Sequence, residues 1–230
     1  MFYAVIAAGG IGSRMGAELP KQYITVGNAP IIAHTVQKFL NCDEFKKIIV
    51  LCPEEWCGYT DELLRKHCAD DRIVVISGGT DRNETIMNSV RYIESTDGHS
   101  KDTVIVTHDA VRPFVTDEII KNHIEKSAVY DAIGTVIPAT DTIIESLDGL
   151  TVYSTPDRSK LYQCQTPQTF KALRLKELYD KLTDDKKAFL TDSCSIFTVS
   201  GEKVYLVRGD VQNIKITYPY DLKVAEVILR

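Results

Sequence analysis

The chain is predicted to fold as an α/β protein, with a mostly parallel sheet covered by helices on both faces. Two observations carry this. Short apolar runs alternate with helix-patterned segments from residue 2 to about residue 140, the signature of repeated strand–helix–strand units. The 230 residues are 44% hydrophobic and 26% charged, enough apolar material to bury a large core.

The elements follow in order. FYAVIAA (2–8) is a short apolar run stopped by glycines, as in a buried strand. Pro30 leads IIAHTVQKFL, a helix with proline near its first turn. FKKIIVLC (45–52) is a second strand, and residues 54–68 read as a helix. RIVVIS (72–77) is a third strand, closed by Gly78 and Gly79. Ile86, Val90 and Ile93 share one face of a helix over 83–93. DTVIVTH (102–108) is a fourth strand. Thr116 is placed to cap a helix running to about Tyr130, and AIGTVIPA (132–139) is a fifth strand.

There the alternation stops. Residues 141–155 hold two β-rich runs around Asp148-Gly149, the pattern of a hairpin. A hairpin leaving such a sheet is expected to form an arm, at about 140–167. Helices are predicted over 172–182 and 192–199, strands at VYLVRG and NIKIT, and a C-terminal helix opened by Pro219. No repeat, low-complexity segment or linker divides the chain, so one domain, 1–230, is expected.

Composition narrows the function. A formal net charge of −5 argues against a nucleic-acid reader, which needs a basic face. No apolar run approaches the ~20 residues of a bilayer span. The N-terminus MFYAVIAAGG has neither the basic start nor the long apolar stretch of a signal peptide, and a cytoplasmic location is expected. The six cysteines (42, 52, 57, 68, 164, 194) form no C-x-x-C pair and have no histidine at zinc spacing. They read as reduced, mostly buried thiols.

In open α/β sheets, ligands bind beyond the carboxyl ends of the strands, and the loops there carry the chemistry. The first, AAGGIGSRMGAELPK, offers bare backbone N–H groups with Arg14 and Lys21 beside them, a suitable phosphate clamp. It matches neither G-x-G-x-x-G nor a Walker loop. The second, GGTDRNETIMN (78–88), again pairs glycines with Arg82 and Thr85, while Asp81 or Asn83 can cap the helix. The third, HDAVRPF (108–114), puts Asp109 at a strand end, where it can hold a metal or pair with Arg112. Arg158 and Lys215 are isolated cations that alone would read as solvated.

Taken in order, AAGGIGSRMG…PKQY, GGTDRNETIMN, THDAVRPF, DTI, DRSKLYQCQTPQTF, LTDS and NIKITYPYDL resemble the cytidylyltransferases that make CDP-activated sugar alcohols. The resemblance covers essentially the whole chain. It implies a Rossmann-like nucleotidyltransferase fold and a homodimer formed through the arm. It also implies transfer of a cytidylyl group from CTP, accompanied by Mg²⁺, to an alditol phosphate, releasing pyrophosphate. By the same resemblance, Arg14 and Lys21 are the catalytic cations. CTP lies on Ala7, Ala8, Gly9, Gly10, Ile11, Gly12, Gly79, Asp81, Arg82, Asn83, Thr85 and Ala110. Asp109 serves the metal. Arg112, Thr140, Arg158 and Lys215 hold the acceptor, with Arg158 reaching the partner's site.

Three rivals fit less well. A nicotinamide-dependent oxidoreductase needs a different glycine spacing, and a glycosyltransferase usually shows a D-x-D motif that this sequence lacks. A nucleotide sensor has no need of Arg14, Lys21, Arg158 and Lys215 together.

Within the family, four features lean toward D-ribitol 5-phosphate, a cell-wall polymer precursor, as acceptor: the doubled Gly9-Gly10, Thr85, Val111 and Ser193-Cys194. The alternative is 2-C-methyl-D-erythritol 4-phosphate, of isoprenoid precursor synthesis.

Overall fold

The structure, a computed structural model, describes residues 1–10, 19–98 and 100–229. Its centre is a seven-stranded sheet in the order β5-β4-β1-β6-β8-β7-β9. The strands are β1 (Phe2–Ala7), β4 (Phe45–Cys52), β5 (Ile73–Ser77), β6 (Val104–Asp109), β7 (Ala132–Pro138), β8 (Tyr162–Lys171) and β9 (Tyr205–Arg208). All neighbours are parallel except β8, which runs antiparallel to both β6 and β7. A two-stranded ribbon, β2 (Thr25–Val26) and β3 (Ala29–Pro30), precedes the first helix.

The period-2 pattern of β1 sorts the core. Ala4 and Ile6 face one side with α1 (Ile31–Leu40), α2 (Cys57–Cys68) and α4 (Asp117–Lys126). Tyr3 and Val5 face the other with α3 (Arg82–Asp97), α5 (Ala172–Lys181) and α7 (Cys194–Val199). Helices on both faces are thus the observed arrangement. A third cluster packs α8 (Pro219–Ile228) on Val26, Ile31, Val111 and Phe114.

Local signals behave as expected at several helix starts. The Thr116 hydroxyl accepts from Ile119 N–H, and the Asp81 carboxylate accepts from Glu84 N–H. Pro219 opens α8, where its missing N–H costs nothing.

Three expectations need correction. The strand β8 is absent from the sequence reading because its buried residues include Gln165, Thr166, Gln168 and Thr169. Its burial is supported by hydrogen bonds and produces no apolar alternation. The arm is not a full hairpin. A single bridge joins Glu145 and Ser154, and the turn is held by the Asp148 carboxylate, which accepts from Leu150 and Thr151 N–H. Its apolar side chains, Leu147, Leu150, Val152 and Tyr153, are exposed, so nothing packs the two runs into strands. NIKIT is not a strand either. It crosses the turn after β6 and makes a backbone–backbone bond to it, Ile216 N–H to Val111 O at 2.9 Å, beside the bond from the Arg112 side chain to Asn213 O at 2.7 Å. A short helix, α6 (Asp184–Ala188), buries none of its residues and so leaves no apolar pattern in the sequence.

Among the described residues, no helix is long and apolar enough to cross a membrane. Of the cysteines, Cys42 and Cys52 are buried, whereas Cys164 on β8 is exposed.

Candidate active site

A cavity of about 310 Å³ opens where the carboxyl ends of β1, β5 and β6 meet. Each element brings one part of its wall.

The chain leaves β1 through Ala7, Ala8, Gly9 and Gly10, all of which line the cavity. Among the described residues, nothing would meet a side chain at Gly9 or Gly10, so the backbone there faces room for a ligand. Ile11, Gly12 and Arg14 lie outside the described residues. Lys21 and Gln22 line the opposite wall from a one-turn 3₁₀ helix, Lys21–Tyr23, held down by Gln22 Nε2 donating to Ala8 O at 2.7 Å. Lys21 is only 7% exposed. A lysine on a short rigid turn, pinned to the glycine loop, keeps its charge at a defined place.

The turn after β5 supplies Gly79, Thr80, Asp81, Arg82 and Thr85. The Thr85 hydroxyl donates to Asp81 O at 2.7 Å and accepts from Gly79 N–H at 3.0 Å, so it closes the turn on itself. Glycine is required at 79, because a Cβ there would sit 2.7 Å from the Glu84 backbone. Asn83 does not line the cavity. Its Oδ1 accepts from the Ser193 hydroxyl at 2.8 Å, tying α3 to the start of α7.

Asp109, at the end of β6, is the electrostatic centre. Its Oδ1 receives Arg82 Nη2 at 3.1 Å, and its Oδ2 receives Lys215 Nζ at 3.0 Å and Arg112 Nε at 3.4 Å. Burial opposes its ionisation, but Arg82, Lys215 and Arg112 outweigh that and hold the carboxyl well below the usual range. Burial pulls the Arg112 guanidinium down, against the pull of Asp109. Three cations against one carboxylate leave the cluster with two positive charges in excess, facing a cavity of bare backbone. A surplus of positive charge beside exposed backbone N–H groups suits an anion.

A buried network orients Asp109 and Arg112. His108 Nε2 lies 3.0 Å from Arg112 O, which can only accept, so Nε2 carries the proton. His108 Nδ1 therefore accepts from the Thr166 hydroxyl at 2.9 Å, and that same oxygen accepts from Asp109 N–H at 3.1 Å. Burial lowers His108 to about 4, so it stays neutral. Sequence reasoning missed His108, Thr166 and Asn213. Only the neighbouring polar motifs HDAVR, QTPQ and NIKIT signalled them.

The structure thus brings together Ala7 to Gly10, Lys21, Gly79, Asp81, Arg82, Thr85, Asp109, Ala110 and Lys215, with Arg112 behind Asp109. It does not bring Thr140 or Arg158 there. They meet each other at the base of the arm, Arg158 Nη1 donating to Thr140 O at 2.8 Å, and both are exposed.

Among the described residues no group of three or more histidines, cysteines or carboxylates could hold a metal ion. Among the described residues, Asp81 and Asp109 are the carboxylates on the cavity wall, which suits a Mg²⁺ held mainly by substrate phosphates rather than by a protein cage.

Comparison with known proteins agrees with this geometry. The family model for IspD, 2-C-methyl-D-erythritol 4-phosphate cytidylyltransferase, matches residues 2–230. A 4-diphosphocytidyl-2C-methyl-D-erythritol synthase from Anaerococcus prevotii is 27% identical, with a TM-score of 0.82 over 100% of this chain and 96% of its own. The Francisella tularensis 2-C-methyl-D-erythritol 4-phosphate cytidylyltransferase is 28% identical, with a TM-score of 0.83 over 98% of each chain. These relatives favour the methylerythritol branch over the ribitol branch that four sequence features suggested. The chain belongs to the IspD family and is a nucleotidyltransferase, a cytidylyltransferase of that type.

Proposed function

We propose that the chain transfers the cytidylyl group of CTP to 2-C-methyl-D-erythritol 4-phosphate, giving the CDP-alditol and pyrophosphate. The family match over residues 2–230 supports the choice of acceptor. The observation that carries the reaction type is the surplus of positive charge around Asp109 beside the bare backbone of Ala7 to Gly10.

The nucleophile, a phosphate oxygen of the acceptor, is anionic at neutral pH and needs no general base. The work is to bring two polyanions together and to stabilise charge at the α-phosphorus. Backbone N–H groups of the first loop receive the triphosphate. Lys21, with Arg14, meets the charge that develops on the transferring phosphoryl. Gly79, Asp81, Arg82 and Thr85 shape the wall for the nucleoside. Lys215 and Arg112 take the acceptor phosphate by exchanging Asp109 for it. Mg²⁺, bound with CTP, would neutralise phosphate charge, with Asp109 as its protein carboxylate. The exposed arm carries Arg158 and Thr140 to the site of a second copy in a homodimer.

A second reading keeps D-ribitol 5-phosphate as acceptor. Three of its four sequence features, Gly9-Gly10, Thr85 and Val111, line the cavity. Equal amounts of the two phosphates competing for limiting CTP decide between them. CDP-methylerythritol as main product supports the first reading, and CDP-ribitol replaces it with the second. Pyrophosphate release from CTP with neither acceptor removes both.

A further inference from the structure

We infer that Asn213 is a positioning residue for the acceptor's phosphate, acting through Arg112 and Lys215. The inference deepens the reading above and rests on it for the identity of the acceptor.

Asn213 is fully buried. Its carboxamide Nδ2 donates to Thr166 O at 2.8 Å and to Gln165 Oε1 at 3.2 Å, which fastens the segment to β8. Its own carbonyl accepts from Arg112 Nη1 at 2.7 Å. Three residues on, Ile216 N–H donates to Val111 O at 2.9 Å. The stretch from Asn213 to Ile216 is therefore pinned at both ends. Lys215 hangs between the pins, with its ammonium on Asp109. Asn213 sets two cations at once: one through its backbone oxygen, the other through the path of the chain.

The support extends outward. Gln165 is aimed at Asn213 because its Nε2 is taken by Asp210 O at 2.8 Å. Gly209 passes directly over it. A Cβ at 209 would collide with Gln165 Oε1 and stand 2.7 Å from Thr135 Cγ2. Only glycine lets the chain run there with Gln165 in place. Gly209 is thus a remote handle on Asn213 that touches none of the cations.

Such support matters because fixed charges lose effect steeply when displaced. A shift of about 1 Å in a substrate-positioning group can cost ~10²-fold in rate. The residues that shape the nucleotide wall, Gly79, Asp81, Arg82 and Thr85, belong to a different strand end and do not bond to Asn213. Loss of Asn213 should therefore fall on one substrate.

The test uses the full chain as Asn213→Ala and, separately, Gly209→Ala. Four quantities are measured: KM for the alditol phosphate, KM for CTP, the Kd of inorganic phosphate by calorimetry, and Tm. Asn213→Ala is expected to raise the acceptor KM ~10-fold or more, with the CTP KM changed less than about twofold. The Kd of inorganic phosphate should rise in parallel, and Gly209→Ala should show the same split. Equal rises in both KM values, or an unchanged acceptor KM in a folded variant, overturn the inference. Collapse of Tm in both variants also overturns it, because Asn213 is then a determinant of folding. The phosphate arm needs no turnover. If wild-type chain forms no CDP-alditol yet binds phosphate in an Asn213-dependent way, the reaction reading fails while the positioning role stands.

Discussion

Replacing Asp109 by asparagine removes the single negative charge that three cations share. The side chains concerned differ in their access to water: Lys215 is 41% exposed, Arg82 24% and Arg112 11%. When the carboxylate goes, the Lys215 ammonium and, in part, the Arg82 guanidinium recover hydration. Arg112 cannot. Removing one partner of a buried pair costs about 3–5 kcal/mol. With only one cation fully stranded, the low end applies, about 3 kcal/mol. For a chain of this size that is a fall in Tm of roughly 6–12 °C. The same reasoning gives a remedy. An added anion should occupy the place of the carboxylate, so excess inorganic phosphate should stabilise Asp109→Asn more than wild type. At a hundredfold excess over Kd the gain is about 2.7 kcal/mol, close to the loss. The assay is thermal unfolding of both proteins in low-salt buffer, with and without phosphate. An Asp109→Asn Tm within ~2 °C of wild type, against the expected fall, or equal stabilisation of the two by phosphate, would refute the view of Asp109 as counter-ion to the cluster.

Lys21→Ala and Arg14→Ala should each lower kcat ~10²-fold or more, the scale for losing one charge stabiliser; normal turnover removes the residue from the catalytic set. Lys215→Ala and Arg158→Ala should raise KM for the acceptor far more than KM for CTP. A mixed dimer of Lys21→Ala and Arg158→Ala chains should recover about half of wild-type activity if the arm serves the partner site, and no recovery denies that role. Stability should fall between pH 7 and 5. Burial lowers His108 to about 4 and His123 to about 3, so the unfolded chain, with histidines near their ordinary value, binds protons that the folded chain refuses. The contribution is complete above the unfolded pKa of ~6.5 and is lost as pH falls toward the folded values. Between pH 7 and 5 the two histidines give a loss of about 4 kcal/mol, read from denaturant midpoints; a flat profile contradicts neutral burial of the pair.

Much of the architecture was legible in the sequence because its signals are local. Apolar runs such as FYAVIAA and FKKIIVLC, together with the caps Thr116 and Asp81, determine their elements from neighbouring residues alone. So does the placing of glycines and cations at the carboxyl ends of strands, which put Gly9, Gly10, Gly79, Arg82 and Asp109 on one rim. Long-range pairing decided the rest. β8 is a strand only because β6 and β7 offer their edges to it, and its buried glutamines and threonines find partners across the sheet, as Thr107 does with Gln168 O at 3.0 Å. Lys215 reads as an ordinary solvated lysine until Ile216 bonds the turn after β6 and brings the ammonium 3.0 Å from Asp109. His108, Thr166 and Asn213 carry no pattern of their own, because a hydrogen-bond network between residues tens of positions apart leaves no period in the sequence. The sequence by itself determined which chemistry the loops could offer; the tertiary structure decided which charges share one carboxylate, because charges act through distance in space and not along the chain.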